Sequence, residues 1–186
     1  MTRLWLVRHG PTHARAMVGW TDLPADLSDT AALSRLDAHL PLAPVISSDL
    51  VRAVATADRL SARPRLPHDP ALRELNFGRW EGRSWAEAEA EDPALARRFW
   101  EEPGPVCAPE GECWDELTAR VACALDRLAP LEEAIVVAHF GVIVAAIQIA
   151  GGLSPKAAMG HRIDNLSVTR LDLGPVPAVH RINHIP

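Results

Sequence analysis

Short runs of contiguous apolar residues alternate along the chain with stretches in which apolar residues recur every three or four positions. "RLWLVRH" at the start reads as a buried strand, and a loop punctuated by Gly and Pro follows through Pro24. Leu33, Leu36 and Leu40 have helical spacing, which predicts a helix over 30–40. Ser28 or Asp29 can cap it, and Pro41 and Pro44 end it. "PVISS" is a second short strand. Residues 49–61 form a helix with Leu50, Val54 and Leu60 toward the core. "RPRLPHD" reads as a third strand or an extended edge, because Pro is poorly tolerated inside a sheet.

Farther on, the acidic, alanine-rich stretch 86–102 is helical and 103–111 is a loop. Residues 112–128 form a long helix with Leu117, Val121, Leu125 and Leu128 on one side. "AIVVAH" is a strongly apolar strand, and a helix over 141–150 follows. Residues 165–171 and 179–185 read as two closing strands. Strands alternating with helices predict one domain over 1–186, a three-layer α/β/α arrangement around a mostly parallel sheet. Ligands of such sheets bind beyond the carboxyl ends of the strands. Arg8-His9-Gly10, Ser47-Ser48 with the helix carrying Arg52, and His139-Phe140-Gly141 all fall at strand ends of that kind.

Composition narrows the function classes. The 186 residues are 48% hydrophobic and 23% charged, ordinary for a globular protein. The formal net charge of −5, with scattered basic residues, gives no reason to expect a nucleic-acid or anionic-membrane surface. The first apolar run is interrupted by Arg8 and His9, so it reads as neither a signal peptide nor a membrane span. Cys107, Cys113 and Cys123 are odd in number, and their spacing fits neither a CxxC pair nor a zinc site. They read as reduced thiols of a cytoplasmic protein. The remaining histidines, His13, His39, His68, His161, His180 and His184, have no metal spacing and read as surface or packing residues.

A phosphoryl group needs cations and N–H donors for its equatorial oxygens, an in-line nucleophile, and an acid for the leaving oxygen. Arg8 and Arg52 can clamp the oxygens through their planar forks. His9 can act as a nucleophile that forms a covalent intermediate. One ring nitrogen must then be unprotonated, and the other needs an acceptor, such as a backbone carbonyl, to fix the tautomer. His139 can be a further donor, although a histidine after an apolar strand also reads as a core residue. Glu74 and Glu81 compete as the acid, and either can be a plain loop carboxylate. Trp20, Trp80 and Trp85 fall in loops near the expected mouth, where packing is the commoner role for tryptophan.

Four ordered blocks, "LVRHGPT", "SSDLVRAVATA", "LRELNFGRWEG" and "VVAHFGVI", resemble the histidine phosphatase superfamily, the phosphoglycerate-mutase-like group. "GWTDLPADLS" also resembles that family's loop after the first strand. The resemblance implies that His9 takes the phosphoryl group, that Arg8 and Arg52 bind phosphate and that His139 completes the pocket. It also implies that Glu74 protonates the leaving oxygen and then activates water. Neither metal nor cofactor is implied. The expected activity is a phosphoric monoester hydrolase of the histidine acid type, acting on a small phosphorylated metabolite.

The chain departs from the family pattern at four places. Pro11 stands where Glu is usual before Thr12. Arg15 stands where Asn is frequent, Phe140 where Gly is usual, and Val144 where Arg is common. Thr12, Arg15, Trp20 and Phe140 are the candidate rim. In the related mutases, extra cations come from an insertion in the middle of the chain. Here that stretch, 86–116, carries Glu87, Glu89, Glu91, Asp92, Glu101 and Glu102 against Arg97 and Arg98. Hydrolysis is therefore preferred over a phosphoglycerate-type mutase reaction. A catalytically silent phosphate-binding protein is the other alternative. The family's small bacterial members include α-ribazole phosphatases, with which the chain's size and "GWTDLP" loop are compatible.

Overall fold

The computed structural model describes residues 1–186. The strands are β1 (Thr2–Arg8), β2 (Val45–Ser47), β3 (Glu133–Ala138), β4 (Val168–Leu173) and β5 (Ala178–His184). They form one sheet in the order β2-β3-β1-β4-β5. The helices are α1 (Thr30–His39), α2 (Val51–Ala57), α3 (Trp85–Glu91), α4 (Pro93–Glu101), α5 (Trp114–Leu128), α6 (Phe140–Gly151) and α7 (Pro155–Met159). Alternate β3 residues point to opposite faces. Ala134, Val136 and Ala138 join the larger apolar cluster with α5 and α6. Ile135 and Val137 join the smaller one with α1 and α2. Helices thus cover both faces of an α/β sheet, as the apolar pattern of "AIVVA" requires.

The sheet is mixed: four strands run in one direction and β4 alone is reversed. β1 and β2 pair with β3 in parallel, whereas β4 is antiparallel to both β1 and β5. After α6 the chain returns to the carboxyl end of β1 before it re-enters the sheet. There Leu166 N–H donates to Arg8 O, and Arg8 N–H donates to Ser167 O. β4 must therefore run downward. The short connection between β4 and β5 permits only an antiparallel partner.

Several boundaries differ from the sequence expectation for identifiable reasons. Residues 86–102 hold two helices, because Asp92 caps α4 with non-helical backbone and Pro93 occupies the first helical position. "RPRLPHD" forms only an isolated bridge between Arg65 and Val45, since Pro64 and Pro67 have no N–H to extend a ladder. α2 stops at Ala57, short of Ser61, and Ala62 takes a positive φ of 57°. α5 starts at Trp114, with Cys113 as its N-cap. β4 starts at Val168 because Leu166 turns the chain with a φ of 59°. Asp29 supplies the cap of α1, its side chain accepting from Ala32 N–H. No helix is long and apolar enough to cross a membrane.

Candidate active site

The register of β1 against β3 places Arg8 opposite Ala138. The next residues on each strand, His9 and His139, therefore emerge side by side at the carboxyl end of the sheet. Their ring centroids are 5.0 Å apart. His9 N–H donates to Ala138 O, Gly10 N–H donates to Thr56 Oγ1, and the Asn165 amide donates to His9 O. This frame fixes the backbone on both sides of the imidazole.

The His9 ring has a defined tautomer. Nδ1 lies 2.6 Å from Gly10 O, and a carbonyl oxygen only accepts, so Nδ1 carries the proton and Nε2 keeps its lone pair. The His9 pKa is lowered to about 3, by burial first and also by the positive charges of Arg52 and Arg8, which together outweigh the opposing Gly10 hydrogen bond. The ring is therefore neutral at physiological pH. His139 is fully buried, and neither ring nitrogen has a hydrogen-bond partner. Its pKa lies well below the ordinary value, through burial first and then through His9 and the arginines.

Arg52, on the first turn of α2, is 1% exposed. Its guanidinium donates to Thr21 O at 2.9 Å and to Gly19 O at 2.6 Å. Arg8 donates to Ile163 O at 2.6 Å and lies 5.8 Å from the centre of the Phe140 ring. Burial lowers the pKa of both arginines, with Glu74 the leading opposing charge. Glu74 carries its carboxylate to the start of α6, where it accepts from Gly141 N–H at 3.0 Å and from Leu75 N–H at 2.9 Å. Arg8, His9, Arg52 and Glu74 line one cavity of about 250 Å³. Its other walls are Thr12, Ala14, Ala16, Met17, Val18, Phe77 and Phe140.

Four of the five residues expected to do chemistry thus share this cavity, and His139, fully buried against the His9 ring, is not on its wall. Thr12 and Phe140 are on the rim as expected. Arg15 is exposed and Trp20 packs elsewhere, so neither lines the cavity. The Trp20 indole N–H donates to Glu74 O, and Arg73 lies over its ring. Val144 is in the core of α6, Trp80 is fully buried, and Trp85 packs edge-on against Trp100. Ser47 and Ser48 also stay off the cavity: the Ser47 hydroxyl meets His68, and the Ser48 hydroxyl accepts from Leu50 N–H.

Glu81 is structural. It accepts from the N–H groups of Gly19, Trp20, Thr21 and Phe77 and from the Thr21 hydroxyl. Burial pushes its pKa up, but these bonds outweigh burial and leave it lowered. The same loop presents the Gly19 and Thr21 carbonyls to Arg52, so Glu81 sets the clamp from behind. Gly10 O, Thr56 and Asn165 are the positioning groups missing from the sequence reading. Only Thr56, one helical turn from Arg52, carried a local signal.

Gly141 has a spatial reason to be glycine. A Cβ there would lie 2.3 Å from Glu74 Oε1. Gly141→Ala is expected to displace the Glu74 carboxylate and lower kcat about 10²-fold, the usual scale for a misplaced acid–base group, with KM little changed. Equal loss from Glu74→Gln and from the double variant would show a shared cause. Wild-type kcat in Gly141→Ala would remove the link.

All three thiols are free. Cys107 is pushed up to about 11 by burial, by Cys113 and by the Glu116 and Asp115 carboxylates. It is no competing nucleophile at neutral pH.

The family model described as "Histidine phosphatase superfamily (branch 1)" matches residues 4–183. "Bifunctional protein Rv2228c" of Mycobacterium tuberculosis is 33% identical over 167 residues. That match covers 80% of this chain but only 44% of the relative, so the chain spans less than half of that protein's length. "Probable phosphoglycerate mutase GpmB" of Proteus mirabilis is 29% identical, with 92% and 85% of the two chains covered. Among solved structures, the mycobacterial glucosyl-3-phosphoglycerate phosphatase Rv2419c superposes with a TM-score of 0.83 at 27% identity, over 97% and 98% of the chains. The alpha-ribazole phosphatase of Shigella flexneri superposes with a TM-score of 0.82 at 24% identity, over 98% and 96%, a likeness of fold.

Proposed function

The chain belongs to the histidine phosphatase superfamily, whose members are phosphatases or mutases, and we propose that it is a metal-independent phosphomonoester hydrolase working through phosphohistidine. One observation carries this reading: a neutral His9, its Nδ1 tied to Gly10 O, shares a cavity with two buried arginines. Nε2 attacks phosphorus and the P–O bond to the leaving group breaks. Arg8 and Arg52 neutralise the equatorial oxygens, while the buried His139 ring packs against the His9 ring, 5.0 Å away between centroids, and steadies the nucleophile. Glu74 gives a proton to the leaving oxygen, then takes one from the water that attacks phosphohistidine. Phosphate leaves and His9 is regenerated. Residues 1–186 act as one catalytic domain, in a reducing compartment such as the cytoplasm, which free thiols suit.

The cavity wall favours hydrolysis over transfer. Beyond Arg8 and Arg52 it offers no cation, and six of its residues are apolar. A mutase must hold a second anionic group of its substrate, and nothing on this wall does so. The departures at Arg15 and Phe140 do not favour a silent binder, because Arg15 is off the cavity and Phe140 packs beside Arg8. The preferred substrate is a small monoester whose alcohol has an apolar or neutral face; α-ribazole phosphate belongs to that class.

The test is a brief pulse with a phosphorus-labelled aryl ester, quenched in base, together with a panel of natural monoesters. Acid-labile label on His9 and release of inorganic phosphate without added metal are expected. Phosphate returned to a phosphoglycerate faster than to water would establish the mutase instead. Bound phosphate with no label on His9 would establish the silent binder. No preference for α-ribazole phosphate within the panel would remove that substrate alone.

A further inference from the structure

A second group of ligand-type side chains gathers away from the cavity, where the chain enters α5. Cys107 and Cys113 oppose one another in a short antiparallel pairing. Ala108 N–H donates to Glu112 O, so the two cysteines form the non-hydrogen-bonded kind of pair, in which side chains lie closest. Glu116 stands three residues on from Cys113, above it on the same helical face. Its carboxylate accepts from Cys113 N–H at 3.0 Å. The two sulfurs and a Glu116 oxygen all lie within 4.8 Å of one another. Cys107 Sγ is 4.0 Å from Glu116 Oε2. A tetrahedral ion with thiolates at about 2.3 Å and a carboxylate oxygen at about 2.1 Å sets its ligands roughly 3.6–3.8 Å apart. Small rotations of these three side chains reach that spacing.

Charge and local chemistry point the same way. Asp115 stands beside Glu116 in the first turn of α5. Arg120, farther along the helix, is committed to Glu112. The cluster therefore combines soft ligands with negative charge. Cysteine is also a weak choice for an N-cap, where Ser, Thr, Asp or Asn accepts more strongly from the helix N–H groups. Capping alone gives no reason for sulfur at 113, and none for a second sulfur opposite it.

We propose that Cys107, Cys113 and Glu116 bind one thiophilic divalent cation of the zinc class, with water as fourth ligand. Binding releases the two thiol protons to solvent. The ion has no part in phosphoryl transfer. It fastens the loop that backs the segment after Glu74. In that loop Glu112 N–H donates to Asn76 O, Asn76 N–H donates to Glu112 Oε2, and Arg79 N–H donates to Pro109 O. The spacing of six between the cysteines hides this group in the sequence, because a hairpin and a helical turn, not a short motif, bring the ligands together.

The test uses the full chain, reduced and freed of metal, titrated with Co(II) and then with Zn(II) against a chromophoric chelator. One equivalent is expected, with thiolate-to-cobalt charge-transfer absorption and a raised melting temperature. Cys123→Ser, at an exposed position farther along α5, should behave as wild type. Cys107→Ser should lose the absorption and at least tenfold in affinity, and Glu116→Gln about tenfold while keeping the absorption. Cys107 is only partly buried, so the metal-free melting temperature of Cys107→Ser should stay at the wild-type value, separating ligand loss from misfolding. The site is overturned if the folded, reduced wild type binds no stoichiometric metal, or if Cys107→Ser binds as tightly as wild type.

Discussion

His9→Ala is expected to lower aryl phosphate hydrolysis by about 10⁴-fold or more, the scale of loss when a covalent nucleophile is removed. The substitution takes away the neutral ring with a free Nε2 lone pair from the cavity that Arg8 and Arg52 also line. It leaves Arg52 held by the Gly19 and Thr21 carbonyls and Arg8 by the Ile163 carbonyl. Affinity for inorganic phosphate should therefore change by no more than a few-fold, while kcat collapses. His139 cannot take over, because it is fully buried and off the cavity wall. Steady-state kinetics with phosphate inhibition separates the two effects. A kcat within tenfold of wild type would end the phosphohistidine mechanism. A matching loss of phosphate affinity would mean that His9 holds the site together rather than reacting.

Acid sensitivity should follow from the same pair of rings. In the unfolded chain each imidazole takes up a proton near pH 6.5. In the folded chain His9 does so only near 3 and His139 well below its ordinary value, both chiefly because of burial. As pH falls below 6.5 the unfolded state therefore binds more protons, and stability drops toward the folded pKa values. The slope is about 1.4 kcal/mol per pH unit for each such histidine. His39 is lowered too, by burial first and then by His184 and Arg181. Variants are therefore the proper comparison. The carboxylates whose pKa values are depressed, Asp26, Asp49, Glu81, Glu87 and Asp164, weaken the fold only at lower pH, below about 4.5, where their unfolded forms protonate. Between pH 6.5 and 5 the slope belongs to histidine. Urea midpoints over that window should flatten by about one proton in His9→Asn, whose amide can still donate to Gly10 O, and by about one more when His139→Asn is added. Wild-type slopes in the double variant would mean that the rings are already charged, or not buried, in solution.

Local periodicity and residue type, both readable along the chain, account for part of this protein. The "AIVVA" run reads as a strongly apolar, buried strand, and β3 is covered by apolar clusters on both faces. Arg8, His9, Arg52 and His139 were legible because strand ends are where an α/β sheet presents a ligand site. Glu74 was legible only through the resemblance of its block to a family, since one loop carboxylate looks like another. Glu81 was indistinguishable from it until the fold showed which N–H groups each accepts.

Everything that depends on which distant groups meet was decided in three dimensions. The tautomer of His9 rests on the Gly10 carbonyl and the backbone frame around it. The direction of β4 follows from where the chain returns after α6, which periodicity does not encode. Arg15 and Trp20 sit in the right stretch of sequence but outside the cavity, because loop geometry chooses among neighbouring side chains. Cys107, Cys113 and Glu116 meet because a hairpin pairing and a helix cap coincide. Spacing along a chain records turns of one element, whereas a site is assembled by contacts between elements.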